Sequence, residues 1–153
     1  MITKHSQAFI DLVKASEGCE LQAYKDTNGI PTIGYGATHY ENGAAVKMYD
    51  SITQQQAEDL LGVLVGQFET TLSSLIPATI NQNQFDALLD FVYNCGIGNL
   101  KSSTLLKKVI ANPNDAEIAF EFNKWVHGQN GQTLAGLVTR RAKEATLYFT
   151  PVN

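Results

Sequence analysis

The stretch SEGCELQAYKDTNGIPTIGYG, residues 16–36, changes texture halfway through, and that change fixes the fold class. Ser16 and Glu17 end a run in which Phe9, Leu12, Val13 and Ser16 recur at helical spacing, with Ser6 as N-cap and Gly18 as stop. The spacing therefore predicts one amphipathic helix over 6–17. From Glu20 onward Leu21 and Ala23 alternate with polar neighbours, and Tyr24, Ile33, Tyr35, Tyr40 and Tyr49 favour strands. Thr27-Asn28-Gly29 and Glu41-Asn42-Gly43 read as turns, so a small meander of two or three strands is expected up to about residue 50.

Downstream the signal is helical. Thr53 and Gln56 form a capping box before Ala57, Leu60, Leu61, Leu64, Phe68, Leu72 and Leu75, which predicts a helix running to just before Pro77. Phe85, Leu88, Leu89, Val92 and Tyr93 mark a second stripe that ends at Gly96. Leu105, Leu106, Val109 and Ile110 mark a third, ending at Asn112-Pro113. Ile118, Phe120, Phe122 and Trp125 give a further helical segment, residues 128–136 a polar loop, and residues 137–149 a last helix. The layout is α+β and bilobal, with a small β-meander lobe (about 14–52) and a larger helical lobe (about 77–153, with helix 6–17 packed on it). A long linking helix (about 53–75) joins them.

Length and composition agree with one ordinary globular domain. The chain has 153 residues, 44% hydrophobic and 17% charged, which excludes disordered and low-complexity classes. No apolar run approaches the ~18 residues of a membrane span, and residues 1–17 lack the pattern of a secretory signal. Retention in the cytoplasm is expected. The net charge of −4 argues against a nucleic-acid partner. Residues 1–76 carry four Lys against nine Asp or Glu, and residues 77–153 carry seven Lys or Arg against six. Cys19 and Cys95 show no metal-ligand spacing and read as separate buried thiols, while His5, His39 and His127 are scattered. No metal site and no cofactor is expected, and no phosphate-binding glycine string occurs.

Carboxylates carry the chemical interest. Glu17 breaks a local rule, because a negative side chain in the last turn of a helix meets the negative end of the macrodipole, at a cost of ~0.3–1 kcal/mol. That field opposes its charge, as a general acid requires. Asp26, nine residues on, precedes the Thr27-Asn28-Gly29 turn, where Asp also serves as a turn residue. Thr32 opens the returning strand. An acid at a helix end and a second carboxylate at a hairpin tip match the needs of glycosidic cleavage, in which one group protonates the leaving oxygen and the other handles water or developing positive charge.

With these residues in place the chain resembles the phage-type lysozyme family of glycoside hydrolases. Glu17, Asp26 and Thr32 keep the family's spacing, followed by Thr32-Ile33-Gly34-Tyr35-Gly36. The likeness continues through Ile52-Thr53, Gln84-Phe85-Asp86-Ala87-Leu88, Phe91 to Gly96, Ser103-Thr104-Leu105-Leu106, Trp125 and residues 136–142. The resemblance implies a muramidase, or endolysin, that hydrolyses the β-1,4 bond between N-acetylmuramic acid and N-acetylglucosamine in peptidoglycan with inversion. It implies Glu17 as general acid, Asp26 as second carboxylate and Thr32 as the residue helping to hold the attacking water. Arg141 matches an arginine that pairs with the catalytic glutamate in the family, and Thr38, Tyr93 and Thr104 match sugar-contacting positions. One departure stands out: many members carry His directly after the I-G-x-G segment, where this chain has Ala37, with His39 two residues on. The implied partner is the peptidoglycan glycan strand, met by a monomer that a holin releases from the host cytoplasm. A lytic transglycosylase, which could dispense with Asp26, and a non-catalytic peptidoglycan-binding or phage structural module are the alternatives.

Overall fold

Residues Met1–Asn153 are described by a computed structural model of the chain. Nine elements follow one another: α1 (Gln7–Ser16), β1 (Glu20–Lys25), β2 (Pro31–Gly34), α2 (Gln54–Leu75), α3 (Gln82–Cys95), α4 (Ile97–Ser102), α5 (Thr104–Ala111), α6 (Glu117–Asn123) and α7 (Ala135–Phe149). They divide into two compact units, Met1–Ser16 with Gln67–Asn153, and Glu17–Gly66.

In the helical unit α3 is the centre. Gln84 to Val92 are buried without a break, so this helix has no solvent face and must find partners for its polar residues. Asn81 and Gln84 start it with a reciprocal capping box. Phe91 meets Phe122 at 6.1 Å and Trp125 at 5.3 Å, both edge to face, and Phe122 meets Tyr148 at 5.7 Å. Asp90 accepts a forked pair from Arg140 of α7, Nη2 to Oδ1 at 2.7 Å and Nε to Oδ2 at 2.9 Å. Asp86 accepts from the Ser6 N–H at 3.0 Å, from the Ser6 hydroxyl and from Gln82 at 3.1 Å. Glu69, on α2, accepts from the His5 N–H at 2.9 Å, the His5 ring and Lys4 at 3.2 Å. Two buried carboxylates thus hold residues 4–6, and the Ser6 hydroxyl in turn accepts from Ala8 to cap α1.

In the smaller unit β1 and β2 pair antiparallel, Tyr24 opposite Thr32 and Glu20 opposite Gly34, with an irregularity between the two pairs. The five-residue connection closes tightly because Gly29 takes φ +77°, which a side chain would resist. Ile33, Ala37, Val46 and Leu60 form the core here, with Ala23, Tyr40 and Ile52 packed on it. Thr53 and Gln56 make the expected reciprocal cap of α2, at 2.8 and 3.1 Å.

Some expectations shift. Glu17 lies one residue beyond α1 rather than in its last turn, because the helix closes at Ser16. α4 was not expected, since its six residues bury only Leu100. Phe120, placed on an apolar stripe, is 66% exposed, with Lys124 5.0 Å above its ring. Trp125 falls just past α6 yet still packs on Phe91. Cys19 and Cys95 are free thiols, both half-buried rather than fully enclosed.

Candidate active site

Four expected site residues, Glu17, Asp26, Thr32 and Thr38, belong to the smaller unit, and three, Tyr93, Thr104 and Arg141, to the helical one. Glu17 is half-buried between α1 and β1. Two residues on, the Cys19 thiol lies 3.8 Å from Gln54 Oε1, and Gln54 Nε2 donates to the Tyr35 hydroxyl at 2.9 Å. The start of α2 therefore ties together the entry to β1 and the exit from β2.

Asp26 serves the turn first. Its Oδ1 accepts from the N–H groups of Asn28 at 2.8 Å and Ile30 at 2.9 Å, and its own N–H donates to the Ile30 carbonyl at 3.0 Å. Both turn bonds fall on Oδ1, so Oδ2 is left for other work. Thr32 is 4% exposed, and its hydroxyl donates to that same Ile30 carbonyl at 2.9 Å. With its proton committed, Thr32 Oγ1 is an acceptor toward anything placed beside it. Thr38 is half-buried, and its hydroxyl shares a 3.0 Å hydrogen bond with His39 Nδ1.

In the helical unit Thr104, exposed at the first turn of α5, lines a groove of ≈ 930 Å³ with Asn94, Asn99, Trp125, His127 and Gln129. Carboxamides, a hydroxyl and an aromatic ring suit a polyhydroxylated ligand. Tyr93 is half-buried, edge-on to Phe9 at 6.3 Å, with the Arg140 guanidinium 6.0 Å from its centroid. Arg141 sits elsewhere than a sugar contact would: it is wholly buried, bonded to Glu144 and Asn94, both at 2.8 Å, and to the Cys95 thiol. Its Nε and Glu144 Oε2 have no partner. Burial pushes the Glu144 carboxyl well up, and its hydrogen bond to Asp90 adds to this. Burial also raises the Cys95 thiol, with Arg141 pulling the other way. A second groove, ≈ 760 Å³ between α1 and α7, is floored by Ala8, Leu12, Ala15, Ala142 and Leu147 and contains none of the expected site residues.

Sequence reasoning missed the polar lining of the larger groove. The available signal was a set of carboxamides at helix ends and in the loop, Asn94, Asn99 and Gln129, where a helix terminus gives amides a use of their own.

The sequence profile of the family described as phage lysozyme matches residues 14–144. The endolysin of Bacillus phage B103 is 44% identical over 147 residues, covering 95% of this chain and 54% of that protein. The chain spans about half the length of this relative and of the phage PZA endolysin. Among solved structures, a P22 lysozyme mutant superposes with a TM-score of 0.88 at 32% identity, covering 97% of this chain and 100% of that one. The muramidase domain of SpmX from Asticaccaulis excentricus does so with 0.82 at 32%, covering 98% and 100%. No helix is long and apolar enough to cross a membrane. The fold thus agrees with the profile match over most of the sequence, and the chain belongs to the phage lysozyme family.

Proposed function

We propose that the chain is an endolysin of the muramidase type, a lysozyme-like glycoside hydrolase that cuts the β-1,4 bond between N-acetylmuramic acid and N-acetylglucosamine in peptidoglycan with inversion. The observation that carries this reading is the joint attachment of Asp26 and Thr32 to Ile30, which leaves one carboxylate oxygen and the lone pairs of one hydroxyl for a single water. In this scheme Glu17 protonates the glycosidic oxygen as the bond to the anomeric carbon breaks. Asp26 Oδ2 takes one proton of the water, Thr32 Oγ1 accepts a hydrogen bond from the other, and the oxygen attacks the opposite face of the sugar. An inverting enzyme needs its two carboxyl groups about 6.5–9.5 Å apart to admit that water.

The reading assigns the catalytic residues to the lobe of about 14–52 and further sugar contacts to the lobe of about 77–153. Thr38, Tyr93 and Thr104 offer a hydroxyl, a ring and a hydroxyl to the glycan. Arg141 acts through Asn94, which it holds at the rim of the larger groove. The relatives named for endolysin and muramidase activity support the substrate class.

Mass spectrometry of muropeptides released from purified sacculi tests the reaction. Reducing N-acetylmuramic acid ends are expected; 1,6-anhydro ends would make the protein a transglycosylase, and no release would make it a binding module. Proton NMR at early times should show the α anomer first, and a β anomer would overturn inversion.

A further inference from the structure

Tyr49 combines two unusual features. It is 97% exposed, and it is the one non-glycine residue with positive φ, +76°. An aromatic residue stays in the left-handed region only where its surroundings hold it there. The holding contacts converge on Asp50, whose Oδ2 accepts from the Lys47 N–H at 2.9 Å and the Tyr40 hydroxyl at 2.8 Å, and whose N–H donates to the Lys47 carbonyl at 3.1 Å. The fold thus braces a turn whose tip is a ring that the core does not use.

The place of that turn is equally specific. Residues 50–52 run antiparallel beside β1: Ala23 donates to the Asp50 carbonyl at 2.9 Å, Ile52 donates to the Leu21 carbonyl at 2.8 Å, and Gln22 stands opposite Ser51. Tyr49 directly precedes Asp50 and Tyr24 directly follows Ala23, so the tip of the turn lies by the Tyr24 end of β1, and Tyr24 is paired with Thr32 on β2. Tyr24 is itself 39% exposed. An exposed ring therefore stands at the turn that leads onto the outer side of β1, the strand whose other side pairs with the residue assigned to the attacking water.

A pyranose ring presents an apolar C–H face edged with hydroxyls, and a tyrosine offers an apolar face with a polar tip. The geometry points to Tyr49 as a glycan-contact residue that takes a sugar of the peptidoglycan strand beside the bond being cut. This rests on the muramidase reading, and it adds a contact that neither the motif spacing nor the family match assigned. A protein partner at the same ring is the competing outcome.

Initial rates of sacculus digestion, measured across sacculus concentration, test it. Tyr49→Ala is expected to raise the half-saturating concentration about three- to tenfold, the worth of one ring contact, while Tyr49→Phe stays within about twofold. Tyr49→Gly, which relieves the left-handed backbone, provides a folded ring-free variant should the alanine protein fold poorly. Co-sedimentation with sacculi in a Glu17→Gln background reads binding without cleavage, and there too the ring-free variants should bind more weakly. Half-saturation and co-sedimentation unchanged in both ring-free variants would overturn the assignment, as would lost lysis with unaltered binding to sacculi. If the wild-type protein releases no muropeptide while removal of the ring still weakens co-sedimentation, the muramidase reading fails and the glycan contact stands. If the wild-type protein cuts sacculi and the ring-free variants bind as it does, only the Tyr49 assignment fails.

Discussion

Asp26 and Thr32 are joined through the two faces of one peptide residue: Ile30 gives its N–H to Asp26 Oδ1 at 2.9 Å and takes the Thr32 hydroxyl on its carbonyl at 2.9 Å. The hairpin loop therefore sets the carboxylate and the hydroxyl as one unit. A substitution at either position has a structural and a chemical consequence, and the two can be separated.

Asp26→Asn keeps an Oδ1 that accepts the same two N–H groups, so the turn should survive with a stability change below about 1 kcal/mol. Activity should fall by several orders of magnitude, because an amide takes no proton from water. Asp26→Ala loses both turn bonds as well and should cost about 1–3 kcal/mol. Thermal melts beside muropeptide release check the pair; a drop in activity smaller than about tenfold for Asp26→Asn would shift the reading toward a transglycosylase.

Thr32→Val preserves shape and removes the hydroxyl. The Ile30 carbonyl still accepts from the Asp26 N–H at 3.0 Å, so the loss of stability should stay near ~1 kcal/mol. Release of muropeptides should fall by about 10²-fold, the order expected for a positioning contact to the nucleophile, and Thr32→Ser should recover most of it. A Val variant as active as the wild type would remove Thr32 from the site.

Stability should be far more sensitive at Asp90. The Arg140 guanidinium facing it is 4% exposed, and Asp90→Ala would leave that charge buried without its carboxylate, a loss of about 3–5 kcal/mol. The Lys108–Glu117 pair at 2.6 Å is exposed on the glutamate side, and Glu117→Ala should cost at most about 1 kcal/mol. Urea unfolding at neutral pH compares them, and equal losses would contradict the burial argument.

The contrast between these pairs also explains what the sequence could tell. Thr53 with Gln56, the stripe from Phe85 to Tyr93 and the turn at Asn28-Gly29 are local signals, each complete within a few residues, and each was legible. The hairpin relationship of Asp26 to Thr32 was likewise readable, since only six positions separate them. α4 was not, because a helix of six residues with one buried side chain leaves no periodicity to find. Nor were the buried charges. Asp90 and Arg140 lie 50 residues apart, and Glu69 meets His5 across 64, so nothing near either carboxylate marks it as enclosed. Arg141 shows the limit most clearly: a charged residue on the last helix reads as exposed or substrate-facing, while its bonds to Asn94 and Cys95, and the burial of its i,i+3 pair with Glu144, exist only once α3 and α7 pack.

The two carboxylates that hold residues 4–6 should respond to pH in opposite directions. Burial acts to raise Glu69, yet hydrogen bonds from the His5 N–H, the His5 ring and Lys4 outweigh it and hold the carboxyl below its usual range. Its contribution to stability is present above the unfolded-state value of about 4.3 and is lost as pH falls through the lower folded value. Burial dominates at Asp86, lifting its carboxyl above the usual range against the bonds from Ser6 and Gln82. Its contribution is complete below about 3.9 and is lost as pH rises through the raised folded value. The destabilisation caused by Glu69→Gln should therefore shrink on acidification from neutrality to about pH 3, and that caused by Asp86→Asn should grow over the same interval. Thermal midpoints of both variants and the wild type across this range decide the matter. Parallel curves for the two variants would mean that neither carboxyl titrates with the fold and that residues 4–6 are held by shape alone.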